Sequence, residues 1–167
     1  MIPLWVYYLL TIELVIVSIQ DIRFQKIINL WSFFNIGLFI FLLFIEPKFY
    51  FFTFGSLLYS MVILVVGFIF FLIKIMGAGD TKFLASFYFL VPESLQPNAY
   101  RLLLISTVII GLFMLITNFG KNYQKISFHL KRGEVNELKK FFGTKFSFAP
   151  VILLSWIWLG IEKGLWF

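Results

Sequence analysis

Two aspartates, Asp21 and Asp80, each stand where a long apolar run meets a short polar segment. Acid–base hydrolysis needs such a pair. One carboxylate stays ionised and takes a proton from water, and the other stays protonated and donates to the carbonyl under attack. Like charges a few ångströms apart force that split. Asp21 lies in the break Gln20-Asp21-Ile22-Arg23-Phe24-Gln25-Lys26. Asp80 follows Gly77-Ala78-Gly79, whose glycines let the backbone turn sharply and approach a neighbour closely. It then opens an apolar run, at a position that suits an N-cap carboxylate. The competing reading is plain: an interfacial loop residue for Asp21 and a capping residue for Asp80.

Other hydrolytic chemistries lack their residues. There is no cysteine, which excludes disulfides, zinc thiolates and iron–sulfur ligation. The single histidine, His129, falls in a polar stretch read as a loop, and no HExxH, P-loop or GxGxxG occurs. Neither a protein-bound metal nor a cofactor is expected.

The elements that must position the aspartates are membrane helices. The chain is 61% hydrophobic and 13% charged, with mean hydropathy +0.96. A soluble domain would be roughly a quarter charged, and a bilayer span needs about 20 apolar residues. Apolar runs cover residues 4–19, 27–45, 49–73, 83–91, 100–118 and 146–161. The fourth reaches across roughly half of a hydrocarbon core, so it either starts inside the membrane or continues past Pro92. The first lacks a basic leader and an A-x-A-like site, so it reads as a retained helix. The expectation is one all-α domain over residues 1–167, a polytopic bundle of about six membrane helices.

Charge sets the orientation. Eleven of the fourteen Lys and Arg fall in alternate loops, with seven of them between Lys121 and Lys145; Lys48, Arg101 and Lys163 fall on the other side. Basic residues are retained on the cytoplasmic side. Both termini are therefore expected outside the cytoplasmic membrane, with Asp21 and Asp80 together on the inner face. The basic loop at about 121–145, where Val135, Leu138 and Phe142 share a helical face, suits a short helix on anionic lipid headgroups. Basic charge confined to loops argues for lipid rather than nucleic acid as its partner.

Gly77-Ala78-Gly79-Asp80-Thr81-Lys82 resembles the GxGDxK signature of the type IV prepilin peptidases, which are GxGD aspartyl proteases. Asp21, followed by Arg23 and by Ile27-Ile28-Asn29, is similar to that family's D-x-R…I-P-N segment, with Ile28 where the family has proline. Ser147-Phe148-Ala149-Pro150 is similar to its late P-[FY]-[AG]-P segment, with the first proline replaced. Presenilin-type GxGD proteases are similar at the glycines, but they are longer and place a Tyr before the first aspartate, where this chain has Gln20. The prepilin peptidase resemblance implies that Asp21 and Asp80 are catalytic and that Gly77, Gly79, Lys82, Asn29 and Pro150 support them. Long members of the family carry an extra domain with paired CxxC motifs and also methylate the product. This chain looks like the short, peptidase-only branch.

The expected activity is removal of a short basic leader from prepilin-like or preflagellin-like precursors at the cytoplasmic boundary, after a Gly. Helical hydrogen bonds shield a carbonyl, so the cut segment must unwind, and Gly favours unwinding. The alternative is a non-enzymatic assembly factor, or a small transporter whose aspartates bind a proton or cation. Glu13 projects to a face similar to that of Asp21, two turns earlier. It suits a polar partner, and Asn35 suits an interhelical hydrogen bond.

Overall fold

A computed structural model describes residues 2–72, 76–131 and 147–165. Among them the chain forms six α-helices and no strand: α1 (Leu4–Phe24), α2 (Asn29–Ile45), α3 (Phe54–Leu72), α4 (Ala78–Phe89), α5 (Gln96–Lys131) and α6 (Ala149–Glu162). Three segments are long and apolar enough to cross a membrane: Leu4–Phe24, Phe54–Leu72 and Gln96–Met114. α2 and α6 are apolar but shorter. That is fewer full spans than the six expected.

The exterior is largely apolar, and the mainly apolar core also encloses a set of polar side chains. α3 exposes Leu64, Val65, Phe68, Ile69 and Leu72, and it turns Ser56 and Ser60 inward. Glu13, Asn35, Ser86, Gln96, Ser106 and Ser155 are likewise buried. Water would reject such an exterior, whereas lipid accepts it; lipid in turn drives polar side chains toward one another.

Several boundaries differ from those expected. α1 runs through the polar break, so Gln20, Asp21 and Arg23 lie on its last turns and not in a loop. The helix stops at Gln25, whose left-handed backbone (φ 50°) closes it through a hydrogen bond to Asp21 O. α4 starts at Ala78 and ends at Phe89, so it does not continue past Pro92. α5 extends through residues 121–131, which puts His129 on a helix. Val135, Leu138 and Phe142, and Lys74 with its loop charge, lie outside the described residues.

Helices pack in two sets. α4 packs closely on α2 and α3, and α6 packs closely on α1 and α5. Most of α4 is buried, from Asp80 through Tyr88 apart from the exposed Lys82. Trp156 of α6 locks the two sets together. Its ring stacks on Tyr7 of α1 (5.1 Å) and meets Phe87 of α4 edge-on (5.2 Å), while its Nε1 donates to Thr11 Oγ1 (3.1 Å). At the other end Gln96, fully buried, places Nε2 within hydrogen-bonding distance of three carbonyls: Ser56, Tyr88 and Val91. The Tyr88 and Val91 carbonyls lie at the end of α4 and just beyond it, and the Ser56 carbonyl lies in the first turn of α3.

The α1–α2 connection yields a prediction. Ile28 has φ −75° and ψ 138°, and its N–H makes no hydrogen bond among the described residues. Proline fixes φ near this value and lacks only that N–H. Ile28→Pro should therefore stabilise the fold by about 0.4–1 kcal/mol through the unfolded chain. A thermal melt in detergent should move up by a few degrees; a clear fall would show that the loop needs a different backbone.

Candidate active site

Asp80 sits at the third position of α4. Its Oδ2 reaches back to accept the N–H of Gly77, the N-cap residue, at 3.1 Å. The sequence suggested an N-cap carboxylate; the structure has instead the carboxylate half of a capping box, with glycine at the cap itself. Thr81 fixes the same turn from the other side. Its hydroxyl lies 3.1 Å from Gly67 O on α3 and 3.3 Å from Gly77 O.

Gly79 allows a close approach. A methyl group there would come 2.5 Å from the carbonyl oxygen of Ile27, which is backbone and cannot swing aside. The α1–α2 connection thus lies directly on the first turn of α4. This brings the polar end of α1 to Asp80.

Asp21 is buried on the last turn of α1. Its Oδ2 accepts the backbone N–H of Ala149 at 3.1 Å, and the Ser147 hydroxyl lies 3.5 Å from its carbonyl oxygen. The start of α6 therefore supplies an amide that no helical carbonyl uses. Pro150 follows Ala149 in the first turn of that helix, where its missing N–H costs nothing. The Ser147–Pro150 segment does reach the site, with Ala149 and not Pro150 making the recorded bond.

The Asp80 carboxyl senses Asp21. Burial first, and then the negative charge of Asp21, push the Asp80 carboxyl up to about 6, against the pull of the Gly77 N–H. The Lys82 ammonium, to which the resemblance gives a supporting role, is not among these influences. Its exposed side chain lines an open cavity of about 750 Å³ instead. Asp80, Gly77, Gly79, Asn29 and Lys26 line the same cavity, and Phe24, Ile27 and Ile28 give it an apolar wall. Asp21 does not line it, although its neighbour Gln20 does. Of the residues expected at the site, Gly77, Gly79, Asp80, Lys82 and Asn29 line this cavity, and Asp21 and Pro150 do not. Ala149 and Ile27 were missed as contributors, because backbone groups leave no mark on residue type.

Among the described residues, no three His, Asp or Glu side chains come together in a way that could hold a metal ion. Chemically, the arrangement offers two buried carboxyls, the charge of one raising the pKa of the other, with Asp80 on the wall of an open cavity. Comparison with protein-family models, with curated proteins and with solved structures gives no match.

Asp80 makes stability depend on pH. Its folded value lies above the ordinary carboxylate value near 4, so its contribution is fully present below about 4 and is lost as pH rises through about 6. Asp80→Asn keeps an oxygen for Gly77 N–H and removes the buried charge. The variant should melt above the wild type at pH 7, by roughly 1–3 kcal/mol, and the two should converge at pH 4. Equal melting at both pH values would mean that Asp80 ionises at no cost.

Proposed function

We propose that the chain is an intramembrane aspartyl endopeptidase with Asp21 and Asp80 as its catalytic pair. One observation carries the reading: two buried carboxylates from distant parts of the sequence lie close enough for the charge of Asp21 to raise the pKa of Asp80, and Asp80 lines an open cavity. A capping role accounts for the Gly77 hydrogen bond, but it gives no reason for a second buried carboxylate. The resemblance of the Gly77–Lys82 and Ser147–Pro150 segments to prepilin peptidases supports the same conclusion.

In the reaction Asp80 holds the proton and Asp21 carries the charge. Asp21 takes a proton from water as the hydroxyl adds to the scissile carbonyl carbon, while Asp80 donates to the carbonyl oxygen. The tetrahedral diol then collapses. The proton held by Asp21 passes to the amine as the C–N bond breaks, and Asp80 recovers its own from the diol. One water is consumed, and the pair returns with a single proton.

All six helices lie in the cytoplasmic membrane in this account, with α4 short and enclosed by the rest. Both termini face outward and the aspartates face the cytoplasm, as the basic residues require. The substrate is a pilin-like or preflagellin-like precursor, with a basic leader inside and an apolar helix in the bilayer. The cut follows a Gly where that helix emerges. The cavity's apolar wall and adjacent lysines suit an extended segment at the membrane edge. No methyl transfer accompanies the cut.

The test is co-expression with a pilin-like precursor. Cleavage should release the leader after its Gly, as N-terminal sequencing would read. Asp21→Asn and Asp80→Asn should each reduce cleavage to background while the protein stays folded. Substantial cleavage by either variant, or a cut deep in the apolar segment, would contradict the assignment.

A further inference from the structure

The helices that carry the two aspartates belong to different packing sets, α1 to one and α4 to the other. Whatever crosses between the sets fixes the separation of Asp21 and Asp80. Near the site, Trp31 Nε1 of α2 donates to Gln20 Oε1 of α1 at 2.9 Å. At the opposite end, Trp5 Nε1 donates to Glu46 Oε1 at 3.2 Å. Both of these ties are solvent-accessible. Between them lies a buried polar chain that the catalytic reading does not use.

Glu13 is 3% exposed, and neither carboxyl oxygen has a donor among the described residues. The Asn35 side chain of α2 lies within hydrogen-bonding reach of it. Asn35 is fully buried, and its Nδ2 donates to Ser86 Oγ of α4 at 3.4 Å. Ser86 donates in turn to Phe83 O at 2.9 Å. With the amide in this orientation, Asn35 Oδ1 and both Glu13 oxygens have no donor among the described residues, and a proton on Glu13 supplies one to Asn35 Oδ1. With the amide turned over, its NH2 serves Glu13 and its carbonyl takes the Ser86 hydroxyl in place of Phe83 O. Either way the three side chains make one continuous connection from α1 through α2 to α4. An unmet polar group at this depth costs about 1–3 kcal/mol, so the connection resists being pulled apart.

We propose that Glu13 is a positioning residue: through Asn35 and Ser86 it ties the helix of Asp21 to the helix of Asp80 and so fixes the separation of the pair. Glu13 lies eight residues before Asp21, and Ser86 six residues after Asp80. At 1.5 Å per residue, each end of the tie is about 9–12 Å along its helix from the carboxylate it positions. Glu13 acts as a hydrogen-bonding group and not as a charge. The proposal rests on the protease reading for its consequence, but not for its test.

The chain has no cysteine, so two introduced ones can carry nitroxide labels without background. Ile22→Cys on α1 and Lys82→Cys on α4 are both exposed positions that report the separation by double electron–electron resonance. Glu13→Gln should keep the wild-type distance distribution, because an amide replaces every bond the acid makes. Glu13→Leu, Asn35→Leu and the small change Ser86→Ala should each broaden or shift it. In unlabelled protein, the same three changes should slow precursor cleavage by up to about a hundredfold, as expected for a misplacement near 1 Å. Glu13→Gln should cleave like the wild type. If Glu13→Gln broadens the distances as Leu does, the tie is overturned and Glu13 works through its charge. Unchanged distances in Ser86→Ala and in whichever Leu variants fold overturn it equally. Broadened distances in a chain that cleaves no precursor would uphold the tie and refute the protease.

Discussion

Two carboxylates held close together and away from water repel each other, and each resists losing its hydration. Everything near Asp21 and Asp80 answers that constraint. Neither residue could hold its place on a loose loop, since a mobile carboxylate would swing out to solvent. Asp80 is fixed by the Gly77 amide and by a helix buried along most of its length. Asp21 is fixed by the Ala149 amide at the start of a third helix. Both partners are backbone N–H groups freed by helix starts, which stabilise negative charge without adding a competing cation.

The bundle supplies the rigidity this needs. α4, with 12 residues, is too short to cross a bilayer, and its first turn holds the buried Asp80. Trp156 joins three helices through stacking, edge contact and a hydrogen bond, while Gln96 ties α3 to the end of α4 through backbone carbonyls. Gly79 and Gly67 let backbone lie against backbone or threonine where any side chain would intrude. The seam between the two helix sets runs through the pair. Motion there would change the separation of the carboxylates more than motion anywhere else.

Much of this was legible in the residues. The apolar runs fell on helices, both aspartates came out buried, and the Gly77–Lys82 and Ser147–Pro150 segments came out at the site. What stayed hidden has physical causes. The polar break after Ile19 looked like a loop, yet α1 continues through it, because Gln20 and Asp21 have polar partners across the bundle and need not leave the helix. Run length alone read six spans, while among the described residues three segments are long and apolar enough once caps and turns take their share. Lys82 stands only two residues from Asp80 in sequence, but two residues apart on a helix point to different faces. The donors from Gly77 and Ala149 and the carbonyl of Ile27 are common to every residue type and could come only from the fold. Asn35 was recognisable as a hydrogen bonder, but its partners on α1 and α4 were not.

The central claim is that Asp21 and Asp80 form one electrostatically coupled pair. The most direct measurement is the titration of the Asp80 carboxyl carbon by nuclear magnetic resonance, in wild-type protein and in Asp21→Asn. With the charge of Asp21 present, the midpoint should lie near 6. Removing that charge should lower it measurably, with burial accounting for what elevation remains. An Asp80 midpoint that is the same in both proteins would show that the two carboxylates do not sense each other, and would contradict the account.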